Sequence, residues 1–232
     1  MKKNKKKQTY IEKNKIREKN IRVTKTILSI LFLTLLTTFI ILRVIYETGA
    51  FTITLDENFA KKSGLIMYEN INDKVERKIL KTTKLDFLDN ISVNWLPKNI
   101  ESFDGGNNNG ENYIAYTFFL ENQGSDEINY WYTTVIDDVI KNVDEAIRVM
   151  IYVNDSKTIY AKKNSSTEQA EKDTNEFYSD QYVETEKREK MKPGDIDKIT
   201  LIIWIEGDDP DCIDSLIGGE MKMHMEITEE HL

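Results

Sequence analysis

The sequence predicts a mainly β protein: an extracytoplasmic antiparallel β-sandwich of about nine short strands and one or two short helices, preceded by a single transmembrane helix. Three observations carry that expectation. A charge-free apolar run, Thr26 to Leu42, follows a strongly basic start. Beyond it, apolar and polar residues alternate over short segments that Gly, Asn and Pro punctuate. Strands do not alternate with long helical patterns, which disfavours a parallel α/β architecture. With 40% apolar and 10% aromatic residues among 232, the chain can bury a core, and wholesale disorder is excluded.

Residues 1–25 contain eleven Lys/Arg against two Glu, a net +9. The whole chain carries −8, so everything after Lys25 carries −17. The seventeen residues TILSILFLTLLTTFIIL would cover about 25 Å as a helix. Val44, Ile45 and Tyr46 extend the run toward the ~30 Å of a hydrocarbon core, and Lys25 and Arg43 can snorkel to the interfaces. Residues 1–25 therefore read as a basic cytoplasmic head, 26–46 as the transmembrane helix and 47–232 as an extracellular domain, by the positive-inside rule. The alternative is a cleaved signal peptide, with the small residues of Thr48–Ala50 as the cleavage site. The long basic region and the intervening Arg43 favour a retained anchor in the cell membrane. The head is expected to grip membrane lipid rather than nucleic acid, because no stacking platform accompanies its charges. One cysteine, Cys212, leaves the outer domain without an internal disulfide. Low cysteine usage outside a membrane fits a Gram-positive surface.

In chain order, FTITL places Phe51, Ile53 and Leu55 on one strand face. GLIMYENINDKVERKIL reads as a hairpin turning near Asn70 to Asp73. ISVNWLP reads as a strand with Ile91, Val93 and Trp95 on one face. Residues 104–112, rich in Gly and Asn, form a flexible connection. ENYIAYTFFLEN is apolar on both faces, so it belongs in a sheet covered on both sides, or presents an aromatic face for contact. INYWYTTV is expected as its antiparallel neighbour. Ile136, Val139, Ile140, Val143 and Ile147 recur at helical spacing and predict a short amphipathic helix. IRVMIYVNDSKTIYAK reads as a hairpin around NDS. Residues 163–190 read as a charged, irregular loop with an edge piece at Tyr182–Val183. KPGD is a turn that launches IDKITLIIWIE.

The last stretch, IIWIEGDDPDCIDSLIGGEMKMHMEI, holds the candidate chemistry. Ile199, Leu201, Ile203 and Ile205 share one strand face, and Ile202 and Trp204 the other. Met221, Met223, Met225 and Ile227 alternate with Lys222, His224 and Glu226 in the same way. Between the two strands, Asp209 suits a helix N-cap, Pro210 the first helical position, and Gly218 and Gly219 the C-terminal stop. Ile213 and Ile217 would then both face the core. The rival is an irregular Ca²⁺ site from Glu206, Asp208, Asp209 and Asp211. It is not an EF-hand, whose fifth and sixth loop positions would fall on Ile213 and Asp214. Copper is disfavoured because His224 faces away from the methionines. A Cys212 nucleophile would need His224 or His231 beside it. No catalytic or cofactor-binding constellation is assigned.

WIEGDDPDC with its following GG and Met-rich strand resembles a motif of extracytoplasmic proteins of Firmicutes. With ENYIAYTFFLEN and VIDDVIKNVDEAIRVMIY, the likeness to an uncharacterised membrane-anchored family covers most of residues 47–230. A more distant likeness is to camelysin-like and biofilm-matrix fibre proteins. The matrix proteins imply a β-sandwich that assembles by strand exchange. Camelysin implies a protease label, but no protease constellation is present here to carry it. Those relatives lose a signal peptide, whereas an anchor is expected in this chain.

These observations predict a non-catalytic surface module for binding or assembly through strand edges and the aromatic face of residues 113–132. The alternatives are a sensor or accessory subunit of a membrane complex and a surface hydrolase.

Overall fold

A computed structural model describes residues 2–47, 50–83, 85 and 87–229. Thr48 and Gly49 of the small-residue site, and His231, lie outside the described residues. The chain divides into two units, Met1–Gly49 and Ala50–Leu232. The first is helix α1 (Lys2–Glu47). Its segment Asn20–Ile41 is long and apolar enough to cross a membrane, and its apolar window is wholly unburied.

The second unit is a two-sheet sandwich with twelve strands among the described residues. In chain order they are β1 (Thr52–Leu55), β2 (Leu65–Tyr68), β3 (Ile79–Lys81), β4 (Gly106–Asn107), β5 (Tyr113–Asn122) and β6 (Ile128–Ile140). There follow β7 (Ile147–Val153), β8 (Ser156–Ala161), β9 (Asn175–Glu176), β10 (Tyr182–Met191), β11 (Ile196–Ile205) and β12 (Glu220–Thr228). One sheet has the order β10-β6-β12-β1-β3; the other runs β2-β5-β11-β7-β8-β9, with β4 also on β5. Most pairs are antiparallel, but β1 lies parallel to β12 and β9 parallel to β8.

The main core fills the space between the sheets. Ile53, Leu55, Phe118, Leu120, Ile199, Leu201, Met223, Met225 and Ile227 all contribute to it, in the alternation the sequence predicts. A second apolar layer covers the outer face of the second sheet. There Ile91, Leu96 and Ile100 pack on Ala115, Met150, Ile202 and Trp204. This layer explains why β5 and β11 are apolar on both faces. Of the β5 aromatics expected to be offered for contact, Tyr116 and Phe118 are buried between the sheets, Phe119 is buried against Tyr68, and Tyr113 is half-buried at the outer layer.

Several elements differ from expectation. ISVNWLP makes only a bridge at Ile91 to Glu206, then a 3₁₀ turn at Val93–Trp95 that Ser92 caps through its hydroxyl. The helix expected over Ile136–Ile147 is absent. β6 runs on through Ile140, and a turn with positive φ at Lys141 and Asn142 leads into β7. A register shift between Lys222 and Met223 lets both Ile136 and Val139 face inward, which mimics helical spacing in the sequence. INYWYTTV is β6, in the sheet opposite β5. The Asn70–Asp73 turn joins β2 to β3 across the two sheets, with only the Met67–Arg77 bridge closing a hairpin. Residues 163–190 contain β9 and most of β10. The β7–β8 hairpin and the KPGD turn form as predicted: Asp195 N–H donates to the Lys192 carbonyl at 3.0 Å, and Gly194 has φ of 85°.

A capped helix does occur, but elsewhere. Asp56 accepts from Phe59 N–H at 2.7 Å to start α2 (Glu57–Ser63), and Gly64 ends it in the left-handed region.

Candidate functional site

The acidic turn after β11 is built around a buried cation that the sequence reading missed. Arg148 of β7 and Asp209 are both buried, and their side chains form an ion pair on the outer face of the second sheet. Arg148 also donates to the Ile147 carbonyl at 3.3 Å and lies 3.9 Å from Glu171. Asp209 accepts a hydrogen bond from Asp211 N–H at 2.7 Å, and Cys212 N–H donates to the Asp209 carbonyl at 3.0 Å. Asp209 thus accepts a backbone N–H as a cap does, but no α-helix follows it. The chain makes a tight turn and then a 3₁₀ turn at Asp214–Leu216. Ile213 and Ile217, expected in the core, are 58% and 69% exposed. With only a 3₁₀ turn after Asp209, there is no α-helical face on which Ile213 and Ile217 would align.

The four carboxylates proposed for Ca²⁺ separate into two groups. Glu206 accepts from Trp204 Nε1 at 2.9 Å, Val93 N–H at 3.0 Å and Asp208 N–H at 3.2 Å. Asp208 accepts from the Ser92 hydroxyl at 2.6 Å. These bonds fix residues 91–95 against β11. Asp211 accepts from Ser165 N–H at 2.8 Å and from its hydroxyl, while Asn164 donates to Glu171 at 3.0 Å. Those bonds fasten the segment after β8 over Arg148. Glu171, Asp209 and Asp211 bring ligand atoms within 4.8 Å of one another, the one such group among the described residues. Of the three, Asp209 is the one paired directly with the Arg148 guanidinium. Pro210 is exposed at the turn, Trp204 is buried beneath it, and Gly218, with φ of 72°, turns the chain toward Gly219 and β12.

Cys212 accepts from Asn90 Nδ2 at 3.2 Å. His224 lies on the outer face of the other sheet, between Asp137 at 2.9 Å and Glu226 at 3.1 Å. Burial lowers its pKa, but hydrogen bonds and charge from both carboxylates raise it further, for a net rise.

A second polar group bridges the sheets. Tyr130 of β6 donates to the buried Asp197 of β11 at 2.8 Å, and Arg188 of β10 and Asn154 donate to the same carboxylate at 3.0 and 2.8 Å. Next to this bridge along β10, Glu184 is buried at 2% exposure. One of its oxygens accepts from the Thr134 hydroxyl at 2.7 Å; the other has no partner. Burial pushes its carboxyl up to about 8, with help from the Glu186 charge and against the Thr134 hydrogen bonds. Tyr132 and Tyr160 are also raised, by burial first and then by these glutamates. The sequence hides Glu184 because β10 is polar on both faces. Its one signal is the strand-spaced series Glu184, Glu186 and Arg188.

No protein-family model matches the chain, and no curated protein does. Among solved structures it is similar to a β-glucosidase from Kluyveromyces marxianus in complex with glucose, at 13% identity and a TM-score of 0.26, over 72% of this chain and 15% of that one. A likeness that faint, to a small part of a much longer chain, carries no argument about activity.

Proposed function

We propose that the chain is a single-pass membrane protein that displays a non-catalytic β-sandwich outside the cell, for surface binding or assembly. The observation that carries this reading is the unburied apolar stretch Asn20–Ile41, which precedes a domain with a complete core of its own. About 30 Å of exposed apolar helix finds its natural solvent in a bilayer. The basic head holds the N-terminus in the cytoplasm and engages inner-leaflet lipid.

The non-catalytic reading is supported by the side chains that resembled a reaction centre. The acidic turn binds its own Arg148, and among the described residues Cys212 meets the Asn90 amide. Contact with a partner falls to the sheet edges. β10 is defended by alternating charges and two register shifts, whereas β3 is short and presents Ile79 at 62% exposure. We assign partner contact to the β3 edge.

Protease added to intact protoplasts tests the topology. It should digest the domain beyond about residue 50 and spare a small N-terminal membrane fragment. A full-length band that survives until lysis would refute the reading. Release of protein beginning at Phe51 into the medium would instead establish a cleaved signal sequence.

A further inference from the structure

We propose that the first half of β10, Tyr182–Glu186, is a pH-sensitive edge of the sandwich. It lies closed on β6 while the Glu184 carboxyl holds its proton, and it lifts away when that proton leaves.

β10 is the outermost strand of the first sheet, so β6 alone holds its ladder. The ladder is interrupted between Tyr182 and Glu184 and again between Arg188 and Met191. At the first interruption Tyr182 pairs with Val135 and Glu184 with the adjacent Thr134, which leaves Val183 as an extra residue. This bulge buries Val183 and Glu184 together, although they are neighbours in the chain. Regular alternation would have sent one of the two to solvent.

The buried carboxyl meets no cation there. Thr134 and Tyr132 face it from β6, Tyr160 faces it from β8 across the sandwich, and Glu186 follows it along β10. Thr134 donates its hydroxyl to one oxygen at 2.7 Å, and no residue donates to the other. Arg188, the cation on the same face of the strand, is paired with Asp197 at 3.0 Å. A neutral carboxyl tolerates such a place, whereas a carboxylate with one bare buried oxygen is penalised.

An edge strand offers that charge an exit that a central strand lacks. Glu186, the next residue on this face, is exposed, so solvent begins roughly 7 Å away along the strand. The second half of β10 is fastened. Tyr130 and Asn154 hold the Asp197 carboxylate that Arg188 grips, and Asn122 Nδ2 donates to the Met191 carbonyl at 2.9 Å. Lifting therefore starts at the bulge, stops at Arg188 and uncovers one edge of β6.

The sign follows from the burial of Glu184. Its folded value is raised from 4.5 to about 8, so the closed form is fully favoured below about pH 4.5 and loses that advantage as pH rises to about 8. One proton leaves per opening, so the opening constant rises about tenfold per pH unit within that window.

Hydrogen exchange of the full chain in detergent micelles, read by mass spectrometry from about pH 5 to about pH 8 and corrected for intrinsic exchange rates, tests this. Peptides over Tyr182–Glu186 should open more readily than peptides of β11, and their opening should increase at least a hundredfold, on the order of the linkage above, across the range. Glu184→Gln, which keeps the shape without the titration, should remove that increase. Glu186→Gln, at the exposed rim, should retain it. Equal opening of Tyr182–Glu186 and β11 at every pH would show that the whole domain responds, and overturns the edge device without need of a variant. An increase that survives Glu184→Gln, or no increase in the wild type, overturns it as well.

Discussion

Asp209 changes most between sequence and structure, and its substitution should show it. A surface N-cap lost to alanine costs about 0.5–2 kcal/mol. A buried Arg148 left without its carboxylate costs about 3–5 kcal/mol. Asp209→Ala should therefore lie in the upper range in urea unfolding of residues 50–232. Asp209→Asn, which keeps the Asp211 hydrogen bond but loses the charge, should recover only part. Millimolar Ca²⁺ should not raise the wild-type melting temperature, because the Arg148 guanidinium already holds Asp209, the buried carboxylate of the cluster; a clear Ca²⁺-dependent rise would overturn that assignment. Glu184 makes a prediction with a pH sign. Its folded value of about 8 lies above its ordinary 4.5, so its favourable contribution is complete below about pH 4.5 and is lost as pH rises toward 8. Glu184→Gln should stabilise the domain by about 1–3 kcal/mol at pH 8 and much less at pH 5. His224, also raised, acts in the same direction: its stabilisation is present below its ordinary 6.5 and fades as pH rises through its folded value. A Glu184→Gln variant whose pH profile matches the wild type would show that Glu184 is not the buried titrating group.

At the scale of elements, β12 is the cleanest reading. Met223 and Met225 are buried while His224 faces the other way, as period-two alternation requires. Met223→Lys should cost about 2–4 kcal/mol, since it places an ammonium in the core. His224→Lys should stay within about 1 kcal/mol, because a lysine there still meets Asp137 and Glu226. Equal thermal shifts for the two variants would contradict the strand phase. β6 is the opposite case. Its bulge against β12 sets Ile136 and Val139 three residues apart on one face, and period analysis cannot separate that from a helical turn. β10 was legible only at its start, Tyr182–Val183, because the rest carries charge on both faces and only pairing with β6 makes it a strand.

For the whole molecule, the core that spans both sheets implies that residues 50–232 fold as one cooperative unit without the anchor. Urea unfolding of that fragment, followed by far-UV circular dichroism and by tryptophan fluorescence, should give coincident transitions. In a Trp95→Phe, Trp131→Phe background Trp204 reports the outer apolar layer while circular dichroism reports both sheets, so an earlier fluorescence transition would show that residues 91–103 detach first. The protease experiment tests on which side of the membrane the domain lies.

Local pattern alone determined the apolar helix, the strand phases of β1, β5, β11 and β12, the β7–β8 hairpin and the KPGD turn. Each depends on residues close together in the chain, where backbone period and turn chemistry act directly. The partners of those strands were decided only by the tertiary structure. Nothing in FTITL specifies parallel pairing with β12, and nothing in INYWYTTV places it in the sheet opposite β5. The acidic turn shows the same limit in one contact. Asp209 and Pro210 carry a sound helix-start signal, but Arg148, sixty-one residues earlier, lies across the sheet from it. A buried charge pair outweighs a cap, and its partner is visible only once β7 and β11 are side by side.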